Sequence, residues 1–108
     1  MIVNFLRHAK TETTSSSGKD YDRNLAPKGH AQCEEIKKIV NSILSDETKI
    51  YCSAAVRTRQ TAGLIFGDLK SVSYFEELYL STKETILEFI CSQESHHEIL
   101  IIGHNFGL

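Results

Sequence analysis

Two arginines and two histidines stand where apolar runs end. Arg7-His8 closes the run Ile2-Val3-Asn4-Phe5-Leu6, and Ser53 closes Lys49-Ile50-Tyr51-Cys52, with Arg57 one helical turn further on. Gly103-His104 closes Glu98-Ile99-Leu100-Ile101-Ile102. If these runs are strands of one open parallel sheet, all three polar ends meet at its carboxyl edge, where such sheets bind ligands. Four such side chains in one place repel one another and lose hydration unless an anion joins them. Phosphate fits best, because guanidinium groups bind its oxygens bidentately and a helix starting near Ala54 would add backbone donors. A neutral imidazole is also a competent nucleophile toward phosphorus, so His8 or His104 suggests covalent phosphoryl transfer without a metal.

Other candidates are weaker. Glu76 and Glu77 follow a third, shorter run, Val72-Ser73-Tyr74-Phe75, and one of them would reach the same edge to protonate a leaving group. Arg59 lies two residues from Arg57 and so points away from it on a helix. His30 and the pair His96-His97 fall in polar surroundings with no Cys, Asp or Glu at ligand spacing, so no metal site and no cofactor is expected. Cys33, Cys52 and Cys91 are odd in number and lack CxxC spacing, which predicts buried, reduced thiols.

The elements that position these residues read as an α/β domain. Residues 2–6 predict a buried strand, residues 49–53 a second, residues 72–75 a third, and residues 98–102 the strongest. A helix is predicted from about residue 28 to 45, with Cys33, Ile36, Ile39, Val40, Ile43 and Leu44 on its core side. A second begins at Ala54 directly after a strand and runs to about Phe66. Ser81-Thr82-Lys83-Glu84 has the form of a capping box opening a third, which buries Ile86, Leu87 and Ile90. Residues 11–24, centred on Thr13-Thr14-Ser15-Ser16-Ser17-Gly18, carry no core pattern and predict a mobile loop. Alternating strands and helices imply an open, mainly parallel sheet with helices on both faces.

The chain has 108 residues, enough for one domain. Its hydrophobic fraction of 41% and charged fraction of 24% are those of a packed globule rather than a disordered chain. With 12 basic against 14 acidic residues it carries a formal charge of -2, which argues against a nucleic-acid or anionic-membrane binder. Neither a secretory leader nor a membrane-length apolar run is visible, so a cytoplasmic location is expected.

Leu6-Arg7-His8-Ala9-Lys10-Thr11 resembles the Arg-His-Gly signature of the histidine phosphatase (phosphoglycerate mutase-like) superfamily, with Ala9 in the glycine position. Leu25-Ala26-Pro27-Lys28-Gly29 is similar to the family's helix start. Ser53-Ala54-Ala55-Val56-Arg57-Thr58-Arg59-Gln60-Thr61-Ala62 is similar to its arginine-bearing segment, with Ala54 for the usual proline, and Ile102-Gly103-His104-Asn105 to the segment of its second histidine. Glu77-Leu78-Tyr79-Leu80 before the Ser81 helix points to the small SixA-type phosphohistidine phosphatases. The resemblance implies that His8 is phosphorylated and that Arg7, Arg57 and His104 hold the phosphoryl oxygens. Glu77 is an approximate positional match to the family's general acid. The implied substrate is a phosphorylated protein bearing phosphohistidine, or a small phosphomonoester. The alternatives are an inactive phosphate- or phosphoprotein-binding module and a phosphoglycerate mutase-like phosphotransferase. Related domains continue past the second histidine, so the chain reads as the N-terminal two thirds of the usual domain.

Overall fold

Four strands lie side by side in one parallel sheet in the computed structural model, which describes residues 2–93 and 98–104. In chain order the elements are β1 (Ile2–Arg7), α1 (Pro27–Ile43), β2 (Lys49–Ser53), α2 (Val56–Phe66), β3 (Val72–Phe75), α3 (Lys83–Ser92) and β4 (Glu98–Gly103). The strand order is β1-β4-β2-β3. β4 is therefore central, which its composition requires, since Ile99, Leu100, Ile101 and Ile102 are all buried. The period of two sends these residues to opposite faces. Leu100 and Ile102 join Ile50 and Cys52 of β2 beneath α1 and α2, whereas Ile99 and Ile101 join Tyr51 beneath α3. Each fully buried branched side chain contributes roughly 1.5–3 kcal/mol.

Several expectations shift in detail. β1 is an edge strand rather than a buried one, and Ile2 and Phe5 stay exposed. α1 starts at Pro27, whose fixed φ suits a first helical turn. Its inward stripe is Cys33, Ile36, Val40 and Leu44. Ile39 and Ile43 lie on the flank of that stripe and are 63% and 68% exposed. α2 starts at Val56, not Ala54, because the chain bends at Ala54 and Ala55 after β2 and Ala55 is still extended as the N-cap. The cap of α3 is Thr82, whose hydroxyl accepts the Thr85 N–H at 3.2 Å, while Ser81 donates back to the Leu78 carbonyl. Ile86 and Phe89 are its buried residues, Ile90 packs beside them, and Leu87 is 50% exposed. Among the described residues no helix is long and apolar enough to cross a membrane.

Residues 11–24 are tied down at several points. Thr11 bridges Leu25 in antiparallel fashion, and the Glu12 N–H donates to the Asn24 carbonyl at 2.9 Å. The Arg23 guanidinium reaches back to Thr11 Oγ1 and the Glu12 carbonyl, and Asp20–Asp22 forms a short 3-10 turn.

Candidate active site

β1 and β4 are paired with Arg7 opposite Gly103, and the His8 N–H continues the ladder to the Gly103 carbonyl at 3.0 Å. This register brings His8 beside His104, with ring centroids 5.4 Å apart and the planes tilted by 59°. His8 Nδ1 lies 2.8 Å from the Ala9 carbonyl. A carbonyl only accepts, so Nδ1 carries the proton of the neutral ring and Nε2 its lone pair. Burial first, and then the guanidinium charges of Arg57, Arg7 and Arg23, hold His8 below the usual imidazole range, against the opposing pull of the Ala9 hydrogen bond.

His104 is 6% exposed and its Nε2 lies 2.8 Å from Ser53 Oγ. Burial, then the charge of Arg57, then that of His8 push its pKa down to about 4. Both rings are therefore neutral near pH 7. Tyr79 stands edge-on to His104 at 5.5 Å, with the Arg57 guanidinium 5.8 Å from the centre of its own ring.

Arg57 is almost completely buried, as an uncompensated arginine cannot be. Its compensation is Asp20: Nη1 donates to the Asp20 carbonyl at 2.8 Å and Nη2 to its carboxylate at 2.9 Å. That carboxylate also accepts from Tyr79 Oη at 2.7 Å and from Arg23. The Tyr79 hydrogen bond above all, with those of Arg57 and Arg23, holds the Asp20 carboxyl at about 2. Two buried polar atoms, Arg57 Nε and His104 Nδ1, have no hydrogen-bond partner among the described residues. Such atoms are rare in native interiors, and each is a polar group with bonding capacity the fold does not use.

α2 does more than deliver Arg57. Thr58 Oγ1 donates to the Ser53 and Ala55 carbonyls, fixing the turn out of β2. Gln60 Oε1 accepts from the Leu25 N–H, and Thr61 Oγ1 accepts from the Ala9 N–H, the residue after His8. Ala62 is fully buried in the core. Arg59, as expected, points elsewhere: it is exposed, donates to the Ala54 carbonyl and stacks on Tyr74 at 4.3 Å. One short helix thus pins the backbone at three places around the histidines.

Beside His8 opens a cleft of about 500 Å³ walled by Arg7, Lys10, Thr11, Thr13, Arg23 and Gln32, with no carboxylate, and neither Arg57 nor His104, among its walls. Arg7 is exposed there. Glu77 is not brought to this place: it is exposed and lines a separate depression with Thr85, Glu88 and Phe89. Its neighbour Glu76 accepts from Tyr21 Oη at 2.6 Å, because the 3-10 turn Glu76–Leu78 rotates the two carboxylates apart. His30 is exposed on α1, and His96 and His97 lie outside the described residues. Among the described residues no group of three or more His, Cys, Asp or Glu is placed to hold a metal ion. Sequence reasoning missed Asp20 and Tyr79. The one available signal was the cluster Asp20-Tyr21-Asp22-Arg23 in an otherwise small and polar loop.

A parallel α/β sheet whose edge sets two neutral histidines among arginines defines a protein built to take an anion. The chain belongs to the histidine phosphatase superfamily: the sequence model of its branch 1 matches residues 3–79. Among solved structures it is similar to the protein from Agrobacterium tumefaciens assigned as the phosphohistidine phosphatase SixA. That one is 30% identical with a TM-score of 0.83, over 95% of this chain and 68% of the other. The corresponding protein from Nakamurella multipartitia is 28% identical with a TM-score of 0.80, over 94% of this chain and 58% of the other. A protein histidine phosphatase SixA complexed with tungstate shares the fold at 19% identity, with a TM-score of 0.77 over 96% of this chain and 69% of the other. No curated protein matches the chain.

Proposed function

We propose that the chain is a metal-independent phosphatase that passes a phosphoryl group through His8 to water. The observation that carries this reading is the Nδ1 contact of His8 with the Ala9 carbonyl, which leaves Nε2 as a free lone pair in a ring kept neutral by burial and arginine charge. His8 Nε2 attacks phosphorus as the bond to the leaving group breaks. Water then attacks the phosphohistidine, the N–P bond breaks, and phosphate and neutral His8 are released. Arg7, Arg57 and His104 are the groups that hold the phosphoryl oxygens. If the Ser53 hydroxyl donates to His104 Nε2, His104 Nδ1 carries the proton and becomes a donor to such an oxygen.

Phosphohistidine in a protein is the favoured substrate class, ahead of a small phosphomonoester. The cleft has no carboxylic acid to protonate a leaving group: Glu77 stands apart and Asp20, at about 2, stays ionised. An imidazole leaving from a phosphoramidate takes up its own proton readily, whereas an alkoxide needs help. The likeness to proteins assigned as SixA supports the same choice.

The test is hydrolysis of an aryl phosphate and of a phosphohistidine protein in EDTA, with wild type and His8→Ala compared. Turnover lost with His8, and an acid-labile phosphoenzyme trapped in wild type alone, would support the reading. Turnover retained in His8→Ala would refute it, and phosphate binding without turnover would leave a binding module in its place.

A further inference from the structure

We propose that Asp20 is the positioning residue of Arg57: it grips both terminal nitrogens of the guanidinium so that Nε is left, oriented and free, for a phosphoryl oxygen. The inference rests on the phosphoryl-transfer reading of the site and adds a residue that lies outside the histidine-arginine constellation.

A carboxylate on an arginine admits two opposite interpretations. In one, Asp20 stands in the place of the phosphoryl group and must leave before substrate enters. In the other, it braces the arginine from the side that substrate never uses. The contacts favour the brace. Only one of the two bonds to Arg57 comes from the carboxylate; the other is accepted by the Asp20 main-chain carbonyl, which also accepts the Arg23 N–H at 3.1 Å to close the 3-10 turn. The carboxylate is held in addition by Tyr79 Oη at 2.7 Å and by Arg23 Nε and Nη2 at 3.0 and 2.9 Å. Swinging the carboxylate away would break its bonds to Arg57, Tyr79 and Arg23 together, while the main-chain carbonyl would still hold Arg57 Nη1. Moreover, the donor left without a partner is Nε, and the imidazole atom left without one is His104 Nδ1.

Burial explains why a permanent brace is needed. Arg57 is only 2% exposed, and a phosphatase cycle leaves the site without phosphate once per turnover. A buried guanidinium with no counter-charge in that interval is strongly unfavourable and would swing toward water. Asp20, anchored by the loop and by Tyr79, supplies a counter-charge that does not dissociate.

The experiment measures the affinity for inorganic phosphate by calorimetry, and kcat and KM on an aryl phosphate, in wild type, Asp20→Asn and Tyr79→Phe. Asp20→Asn keeps the main-chain contact and removes the charge. The expected results are a fall in phosphate affinity of about ten- to hundredfold and a larger fall in kcat/KM carried mainly by kcat. Tyr79→Phe, which keeps the ring against His104 and removes one bond to Asp20, should move both quantities the same way by a smaller factor, and serves alone if Asp20→Asn does not fold. Tighter phosphate binding in either variant would show that Asp20 occupies the phosphoryl position and overturn the proposal. Unchanged affinity and unchanged kcat with only a lower melting temperature would overturn it too, leaving Asp20 as a structural tie. Wild type that binds no phosphate would overturn the phosphoryl reading itself, and the role of Asp20 with it.

Discussion

Acidification should destabilise the protein through His104 in a window set by its own titration. In the unfolded chain this imidazole titrates at its ordinary 6.5, but in the fold it takes a proton only at about 4, chiefly because it is buried and secondly because Arg57 is close. Between those values the unfolded state binds more protons, so stability falls as pH drops through 6.5 and levels off below 4. A shift of this size corresponds to about 3 kcal/mol, at 1.36 kcal/mol per pH unit. The Asp20–Arg57 pair stays intact throughout, since the Asp20 carboxyl titrates at about 2. His8 is shifted in the same direction and adds to the effect. The assay is urea denaturation at pH 7.5, 5.5 and 4 for wild type and His104→Gln, whose curves should converge by about 3 kcal/mol as pH falls. An NMR titration of the His104 ring reports the midpoint directly, and inorganic phosphate should raise it by placing negative charge beside the ring. A His104 midpoint between 6 and 7 without phosphate, or parallel stability curves for the two proteins, would refute the picture of a desolvated imidazole under arginine charge.

Three further outcomes are expected. Gly29→Ala should lower thermal stability by roughly 1–3 kcal/mol or more, because its Cβ would stand 2.1 Å from the Lys10 carbonyl oxygen, whereas Gly63→Ala, with open space at that point of α2, should raise it by about 0.5–1 kcal/mol. Thr82→Ala should cost about 1 kcal/mol in urea denaturation and Ser81→Ala less, because only Thr82 caps α3. Thiol labelling of the native protein followed by mass spectrometry should find Cys91 modified while Cys33 and Cys52 are protected; both are fully buried and burial pushes the Cys52 thiol up to about 12.

Much of the fold is legible because its signals are local. The unbroken run Ile99–Ile102, rich in β-branched residues, reads as a strand buried on both faces, and it lies inside the sheet between β1 and β2. The start of α2 is not legible: nothing in Ala54-Ala55 forbids a helix, and the delay comes from bonds back to Ser53, whose hydroxyl takes the Ala55 N–H and whose carbonyl takes Thr58 Oγ1. Ser81 and Thr82 are equally good caps in isolation, and the packing of Ile86 and Phe89 selects between them. Ile39, Ile43 and Leu87 fit an apolar stripe by spacing, but a helix that packs on a sheet along one side buries a narrower strip than the spacing rule allows. At the site, residues at strand ends are readable because topology carries them to one edge. Asp20 has no such rule: its partners Arg57 and Tyr79 lie 37 and 59 positions away, and a polar loop has no period from which to infer them.

On the proposed reading of His8, the arrangement also answers how a cationic site can keep its nucleophile uncharged. A histidine that is to attack phosphorus must be neutral, while the phosphoryl group it attacks must be drawn in by positive charge. Here the same guanidiniums serve both ends, since Arg57, Arg7 and Arg23 all lower the His8 pKa. Left uncompensated, so much charge would destabilise the fold, and Asp20 offsets part of it by pairing with Arg57 and Arg23 at once. Arg7, which lines the cleft with Lys10, is in no ion pair among the described residues and on that reading is the cation open to an incoming anion. The division follows burial: the enclosed arginine has its own carboxylate, and the exposed one is open to solvent.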